Sequence, residues 1–336
     1  IVPKNDTLEE SLILRYSDGN KEQEIKQVAK LIRRIVNKYA GRGGFIAYGE
    51  ISDYVEEMVG ILEKARHTAD RLLALEIIIL VLHEAMEAFQ YADDSDGEIG
   101  GLASDCIEVM ENLVLAEKKS DSSITLKLFN RLLEDSNDHA YEGWEEFTID
   151  ILRLCAEIAD TEASQVLLRA RVMAYLDKSD TDGFSTYYAA PLLQILHRLI
   201  VVYGTDAEAL QFEEENSTHA SFREMLIERA KKENNFEKVI ALAIDGEKQD
   251  DYYSGRKPKW KEIRYDAYKK LSLKAEQARL AKELLFDGQF EYYQELKDLN
   301  TGDEKEFYDE LKTKLKKDNR WQAKKMYVNL IEQEED

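Results

Sequence analysis

Proline is nearly missing from this chain: there are three in 336 residues, beside 16 glycines. Few positions therefore break a helix, and no stretch alternates apolar and polar residues for long enough to make a sheet. Cysteine is scarcer still. Cys106 and Cys155 each fall on an apolar helical spacing (Leu102/Cys106/Val109 and Ile151/Cys155/Ile158), where a thiol behaves as a small hydrophobe. Two such cysteines exclude a disulfide framework and a four-ligand Cys/His zinc centre, and they point to a reducing, cytoplasmic setting. Long apolar runs are absent too. The longest, Leu72 to Leu82, has eleven residues and contains Glu76, against the roughly 20 that a membrane span requires. Positive charge is in deficit: 46 Lys and Arg face 68 Asp and Glu, a net charge of -22 that repels phosphate backbones and disfavours general nucleic-acid binding.

What remains is helix text. Charged residues make up 34% of the chain, and Leu, Ala, Glu and Lys, which lose little on entering a helix, are abundant. A helix built from the run 72–82 would be apolar on every side, so it needs neighbours all round. It continues through His83-Glu84-Ala85-Met86-Glu87-Ala88-Phe89 to a polar break at 91–98, then restarts at Ile99, Leu102, Cys106, Val109/Met110 and Leu113. This predicts a buried helical hairpin around which the rest is arranged.

Seventeen helices are expected, from 7–16 to 320–333, with short gaps that fold successive helices into antiparallel hairpins. Thr7/Glu10, Ser95/Glu98, Thr205/Glu208 and Thr301/Glu304 have the spacing of capping boxes, in which hydroxyl and carboxylate satisfy backbone donors of the first turn. Pro191 and Pro258 are expected in first turns. Polar joints fall at 118–123, 179–185 and 245–257, and the first divides the chain into 1–118, a helical bundle, and 119–336, a stack of helical hairpins.

The C-terminal third carries an internal repeat. An offset of 54 places Leu226 on Leu280, Asn234 on Gly288, Phe236 on Phe290 and Leu242 on Leu296, so that in each copy a helix ends at a small turn residue and an aromatic opens the next. Helix pairs recurring this way stack into a solenoid of the tetratricopeptide kind. The Trp/Gly/Tyr/Pro pattern of that named motif is absent. A third, partial copy at 327–334 and the opening Ile1-Val2-Pro3 suggest a piece of a longer polypeptide.

Several stretches, in order, carry a resemblance: Arg42-Gly-Gly-Phe45-Ile-Ala-Tyr48, Asp93-Asp-Ser-Asp-Gly-Glu-Ile-Gly100, Gly143-Trp144, Tyr187-Tyr188, Trp260 with Arg264, Tyr265 and Tyr268, and the segment 281–297 with Gly288, Phe290 and Tyr293. Together they resemble the long helical region that follows the zinc-binding module in bacterial SWIM zinc-finger proteins, over nearly the whole chain. The resemblance implies a helical partner-binding scaffold. The family's defining Cys-x-Cys and Cys-x-His module cannot be drawn from these residues, and it would precede Ile1.

Candidate chemical sites are incomplete. Asp93, Asp94 and Asp96 before Gly97 imitate half of a calcium loop, but Ala92 and Ala103 would occupy its first and twelfth positions, where carboxylates are needed. The plainer reading has Ser95 capping the next helix. His83-Glu84-x-x-Glu87 imitates a zinc-protease helix with Glu in place of the second His. No Gly-x-Ser-x-Gly elbow, Walker or dinucleotide glycine pattern occurs, so no catalytic residue, metal or cofactor is expected. Two basic stretches interrupt the acidic background. Residues 256–270 hold seven Lys/Arg against Glu262 and Asp266, with Trp260, Tyr265 and Tyr268; residues 312–325 hold seven against Asp318, with Trp321. Bases interleaved with aromatics can track a phosphate backbone or an acidic peptide; the alternative is a solvated face whose aromatics pack inward.

The sequence thus predicts an all-α fold, an N-terminal bundle leading into a helical-hairpin superhelix, acting as a non-enzymatic scaffold for a protein or peptide partner. A nucleic-acid-associated accessory module is the second reading. The candidate partner-binding residues are Arg256, Lys257, Trp260, Arg264, Tyr265, Tyr268, Arg320 and Trp321.

Overall fold

The computed structural model describes residues 21–118, 122–179, 185–250 and 256–334. Among them the protein is all-α, with 16 helices packed as sequential pairs. Extended pairing among the described residues is confined to one isolated bridge, Ile46 to Ala92. The expected helix at 7–16 and its Thr7/Glu10 box lie outside the described residues. The chain forms two compact units that part between Tyr203 and Gly204. The joint at 118–123 lies within the first unit, where the helices on either side of it pack on one another; residues 119–121 are outside the described set.

The first unit holds α1 (Lys21–Ala40), α2 (Ile51–His67), α3 (Arg71–Ala88), α4 (Glu98–Glu117), α5 (Ser122–Asp135), α6 (Glu145–Glu157), α7 (Glu162–Ser179) and α8 (Ser185–Tyr203). At its centre is α3, as the all-round apolar run required: α1, α2, α4, α5 and the 3-10 turn His139–Tyr141 all pack on it. Leu73, Leu75, Ile77, Ile78, Ile79, Val81 and Leu82 are buried, each removed from water at a gain of roughly 1.5–3 kcal/mol. Glu76, the one polar residue of the run, takes a 2.9 Å hydrogen bond from Arg131 Nε of α5. The Asp70 carboxylate caps α3 by accepting from the amides of Leu72 and Leu73.

The second unit holds α9 (Asp206–Glu215), α10 (Ala220–Lys232), α11 (Phe236–Gln249), α12 (Arg256–Lys270), α13 (Lys274–Phe286), α14 (Tyr292–Leu299), α15 (Glu304–Lys317) and α16 (Trp321–Glu334). The 54-residue offset has a backbone cause. Asn234 (φ 57°) and Gly288 (φ 110°) both take the positive-φ position after a helix. At each, the next amide reaches back five residues, Asn235 to Ala230 O at 2.8 Å and Gln289 to Leu284 O at 3.1 Å, which closes the helix with an otherwise orphaned carbonyl satisfied. Ser272 (φ 58°) ends α12 the same way, through Leu273 to Tyr268 O at 3.0 Å.

Three local expectations are corrected. Among the described residues, only Thr205/Glu208 forms a full capping box. Before α4 the cap is Asp94, which accepts from the amides of Ile99 at 2.8 Å and Gly100 at 3.2 Å, while the Ser95 hydroxyl turns back to Asp93. Before α15 it is Asp303, accepting from Glu306 N, and not Thr301. In both cases a carboxylate, the stronger acceptor, takes the place of the hydroxyl. Pro191 lies inside α8, whereas Pro258 does sit in the first turn of α12. Helix α8 extends ahead of its proline and forgoes the one bond the ring cannot donate.

Candidate functional site

The first basic stretch folds into α12 with its aromatics inward. Trp260 is fully buried and donates from Nε1 to Asp250 Oδ2 at 2.5 Å; Tyr265 and Tyr268 are also core residues. Tyr265 donates to Glu295 and accepts from Gln277 Nε2, both at 2.9 Å, and its hydroxyl is pushed up to about 12 by burial, with Glu295 adding to the effect. The bases point to acids on neighbouring helices: Lys259 to Glu224 at 2.6 Å, Lys261 to Asp287 at 2.6 Å, Arg264 to Glu247 at 2.9 Å and Lys269 to Glu295 at 2.9 Å. Arg256 is exposed at the helix start, and Lys257 belongs to the same turn. In this conformation the α12 rings hold the second unit's core together and offer no stacking face. The reason is periodic. Trp260, Ile263/Arg264, Ala267/Tyr268 recur on one side of the helix, which meets α11 and α13.

The second stretch is arranged differently. Arg320 bridges Asp318 and Asp287, both at 2.9 Å. Trp321, the first residue of α16, is 72% exposed, with Lys325 Nζ 5.8 Å from its ring centroid. Lys316, Lys317, Lys324 and Lys325 are exposed and meet no carboxylate among the described residues. Of the eight residues singled out in the sequence, Trp321 alone presents a large aromatic face to solvent.

The His83-Glu84-x-x-Glu87 run does not assemble a metal site; no group of metal ligands is present among the described residues. Consecutive residues diverge by about 100° around a helix, and His83 and Glu84 serve different contacts. His83 Nε2 lies 3.1 Å from Asp135 Oδ1 without hydrogen-bond alignment, and its ring meets Tyr141 edge-on at 5.4 Å. Asp135 is almost wholly buried, accepting from the Tyr141 hydroxyl at 2.7 Å with Arg131 Nη1 at 3.4 Å. Burial acts to lower the His83 pKa, but the Asp135 carboxylate outweighs it and the net shift is upward. Glu84 instead takes a short hydrogen bond from the Tyr91 hydroxyl. Its carboxyl is pushed up to about 7 by burial, against which the Tyr91 bond works. Glu87 is exposed.

The Asp93–Gly97 stretch is a structural clasp. Ile46 and residues 91–93 exchange backbone bonds of 2.9 and 3.0 Å, the Tyr48 hydroxyl donates to Asp96 at 2.5 Å, and Ser52 donates to Glu98 at 2.6 Å. Gly97 takes φ 74°, so a side chain there would be strained.

Sequence reasoning missed one surface. Helix α7 buries Ser164, Leu168 and Val172, yet on the opposite side it exposes Ala163, Val166, Leu167, Ala170, Met173 and Ala174. Val166 is 59% exposed, Leu167 50% and Met173 48%. A helix apolar on two faces is legible in the sequence, but which face lacks a neighbour is not. Nearby in the same unit an open groove of about 450 Å³ runs between α4, α6 and α8, lined by Leu115, Leu154 and Ile195 and rimmed by Glu111, Arg153 and Arg198.

No family model matches this chain, and no curated protein does. Among solved structures it is similar to a circular tandem repeat protein with novel repeat topology and enhanced subunit contact surfaces, at 16% identity over 97% of this chain and 75% of that one, with a TM-score of 0.33. That likeness is distant and assigns no family.

Proposed function

We propose that this chain is a non-enzymatic helical scaffold that binds protein partners, working as the helical part of a larger protein of the SWIM zinc-finger kind in a reducing compartment. The observation that carries the scaffold reading is the open apolar side of α7. Val166, Leu167 and Met173 share one helix face, two turns apart at 166 and 173, and each leaves about half of its surface in water. Single exposed apolar side chains are ordinary, but a contiguous stripe is the usual mark of a docking surface. A partner helix laid along it would recover burial that folding leaves unused.

The experiment is photo-crosslinking from α7. A benzoylphenylalanine at position 167 is expected to capture a discrete partner from extracts of the source cells, and the same group at exposed position 305 is not. Val166→Glu with Met173→Glu should abolish capture while helical content holds. Equal capture from both positions would remove the proposal.

The second reading, a nucleic-acid-associated module, is favoured by the exposed indole of Trp321 among unpaired lysines. Its test is retention on single-stranded DNA that weakens steeply with salt.

A further inference from the structure

The corner between α15 and α16 gathers four exposed lysines in an acidic chain. Most bases of the second unit are answered: Lys259, Lys261, Arg264, Lys269, Lys297 and Arg320 each hold a carboxylate within 4.0 Å. Among the described residues, Lys316 and Lys317 at the end of α15, and Lys324 and Lys325 in the first turns of α16, do not. The placement on α16 is locally unfavourable. A helix start carries partial positive charge, so cations there are repelled and an incoming anion is attracted. Trp321, Lys324, Lys325 and Val328 share one helix face at spacings of three and four, with Trp321 and Val328 exposed. An apolar strip thus lies beside lysines that hold no carboxylate among the described residues.

We propose that this corner docks a short acidic peptide segment of a partner protein, its carboxylates among Lys316, Lys317, Lys324 and Lys325 and one apolar side chain lying against Trp321 and Val328. The proposal rests on the scaffold reading and names a class of partner for it. Two observations favour a peptide over a nucleic-acid strand. Sequence-tolerant binding of a strand uses successive aromatic platforms, whereas Trp321 is alone here, since Trp260, Tyr265 and Tyr268 are committed to the core. The patch is also short: the neighbouring bases Arg320 and Lys314 are already paired with Asp287, Asp318 and Glu310, which leaves little uncancelled positive charge for a longer polyanion. A few acidic residues with an aromatic anchor match both its charge and its extent.

The test uses the whole chain and a fluorescein-labelled peptide of about ten residues, alternating Asp and Glu around a central Phe. The comparison probes are its twin with Lys in place of every acid and a single-stranded oligonucleotide of similar charge. The acidic peptide should bind, the lysine twin should not, and binding should weaken as salt rises. Lys324→Glu with Lys325→Glu, and separately Trp321→Ala, should each weaken it by roughly tenfold or more, with Trp321→Phe retaining most of the affinity. All three positions are exposed, so circular dichroism of the variants should match the parent. Absence of acidic-peptide binding, affinity unchanged in those variants, or tighter binding of the oligonucleotide through the same residues would each overturn the proposal. Crosslinking from position 167 reads a different surface, so the scaffold reading can survive when this one fails.

Discussion

The indole of Trp260 lies against Gly246 so closely that a methyl group on that glycine would sit 2.7 Å from two ring carbons. Trp260 is fully buried and tied to Asp250, so the ring cannot swing aside. Helix α11 approaches α12 at this point because one of them has no side chain. Gly246→Ala should therefore lower unfolding free energy by about 1–3 kcal/mol despite its better helix propensity. Urea unfolding followed by tryptophan fluorescence would measure it, and a stabilised variant would contradict the packing described.

Glu84 gives a pH dependence with a definite sign. Its carboxyl rises from 4.5 unfolded to about 7 folded, so the folded state prefers the protonated form. That contribution is complete below the unfolded value and is lost as pH climbs through the folded one. Glu84→Gln keeps an acceptor for Tyr91 and has no charge to bury. It should melt above the parent at pH 8, by on the order of 2 kcal/mol, and match it near pH 4. A difference that does not change between the two pH values would rule out the buried charge as its source.

Asp94 and Ser95 can be told apart by their caps. Asp94→Ala removes acceptors from the amides of both Ile99 and Gly100 and should cost about 1–2 kcal/mol, whereas Ser95→Ala should cost a few tenths. Thermal melts of the two variants decide which residue starts α4.

At the repeat turns, Asn234→Gly should be nearly neutral and Gly288→Ala should destabilise by roughly 1–2 kcal/mol. The nearest atoms to a methyl on Gly288 are those of Gln322 at 3.5 Å, ordinary contact, so the loss comes from the φ of 110° and not from a clash. Chemical denaturation of both variants measures the contrast.

The two sides of α7 should respond oppositely to charge. Val166→Glu and Met173→Glu are expected to shift stability by less than about 0.5 kcal/mol, while Leu168→Glu, one position from the exposed stripe, should prevent folding. Equal loss of stability on both sides would mean that the stripe is not free.

By itself the sequence determined the all-α class, the central place of the helix at 72–82 and the equivalence of Asn234 with Gly288. Each rests on local rules: an apolar run with no polar side must be surrounded, and a helix stop needs a residue that accepts positive φ. Which acceptor caps α4 was not settled locally, because Asp94 and Ser95 are both competent and the clasp with Ile46 and Tyr48 sets the angle at which the chain enters the helix. The two basic stretches look alike as text, with similar charge and similar aromatics. Only the tertiary structure separated them. Trp260, on a helix with neighbours on both sides, goes into the core, and Trp321, at the open start of its helix, stays in water. Periodicity fixes which residues share a face; whether another helix arrives to cover that face depends on contacts distant in the chain.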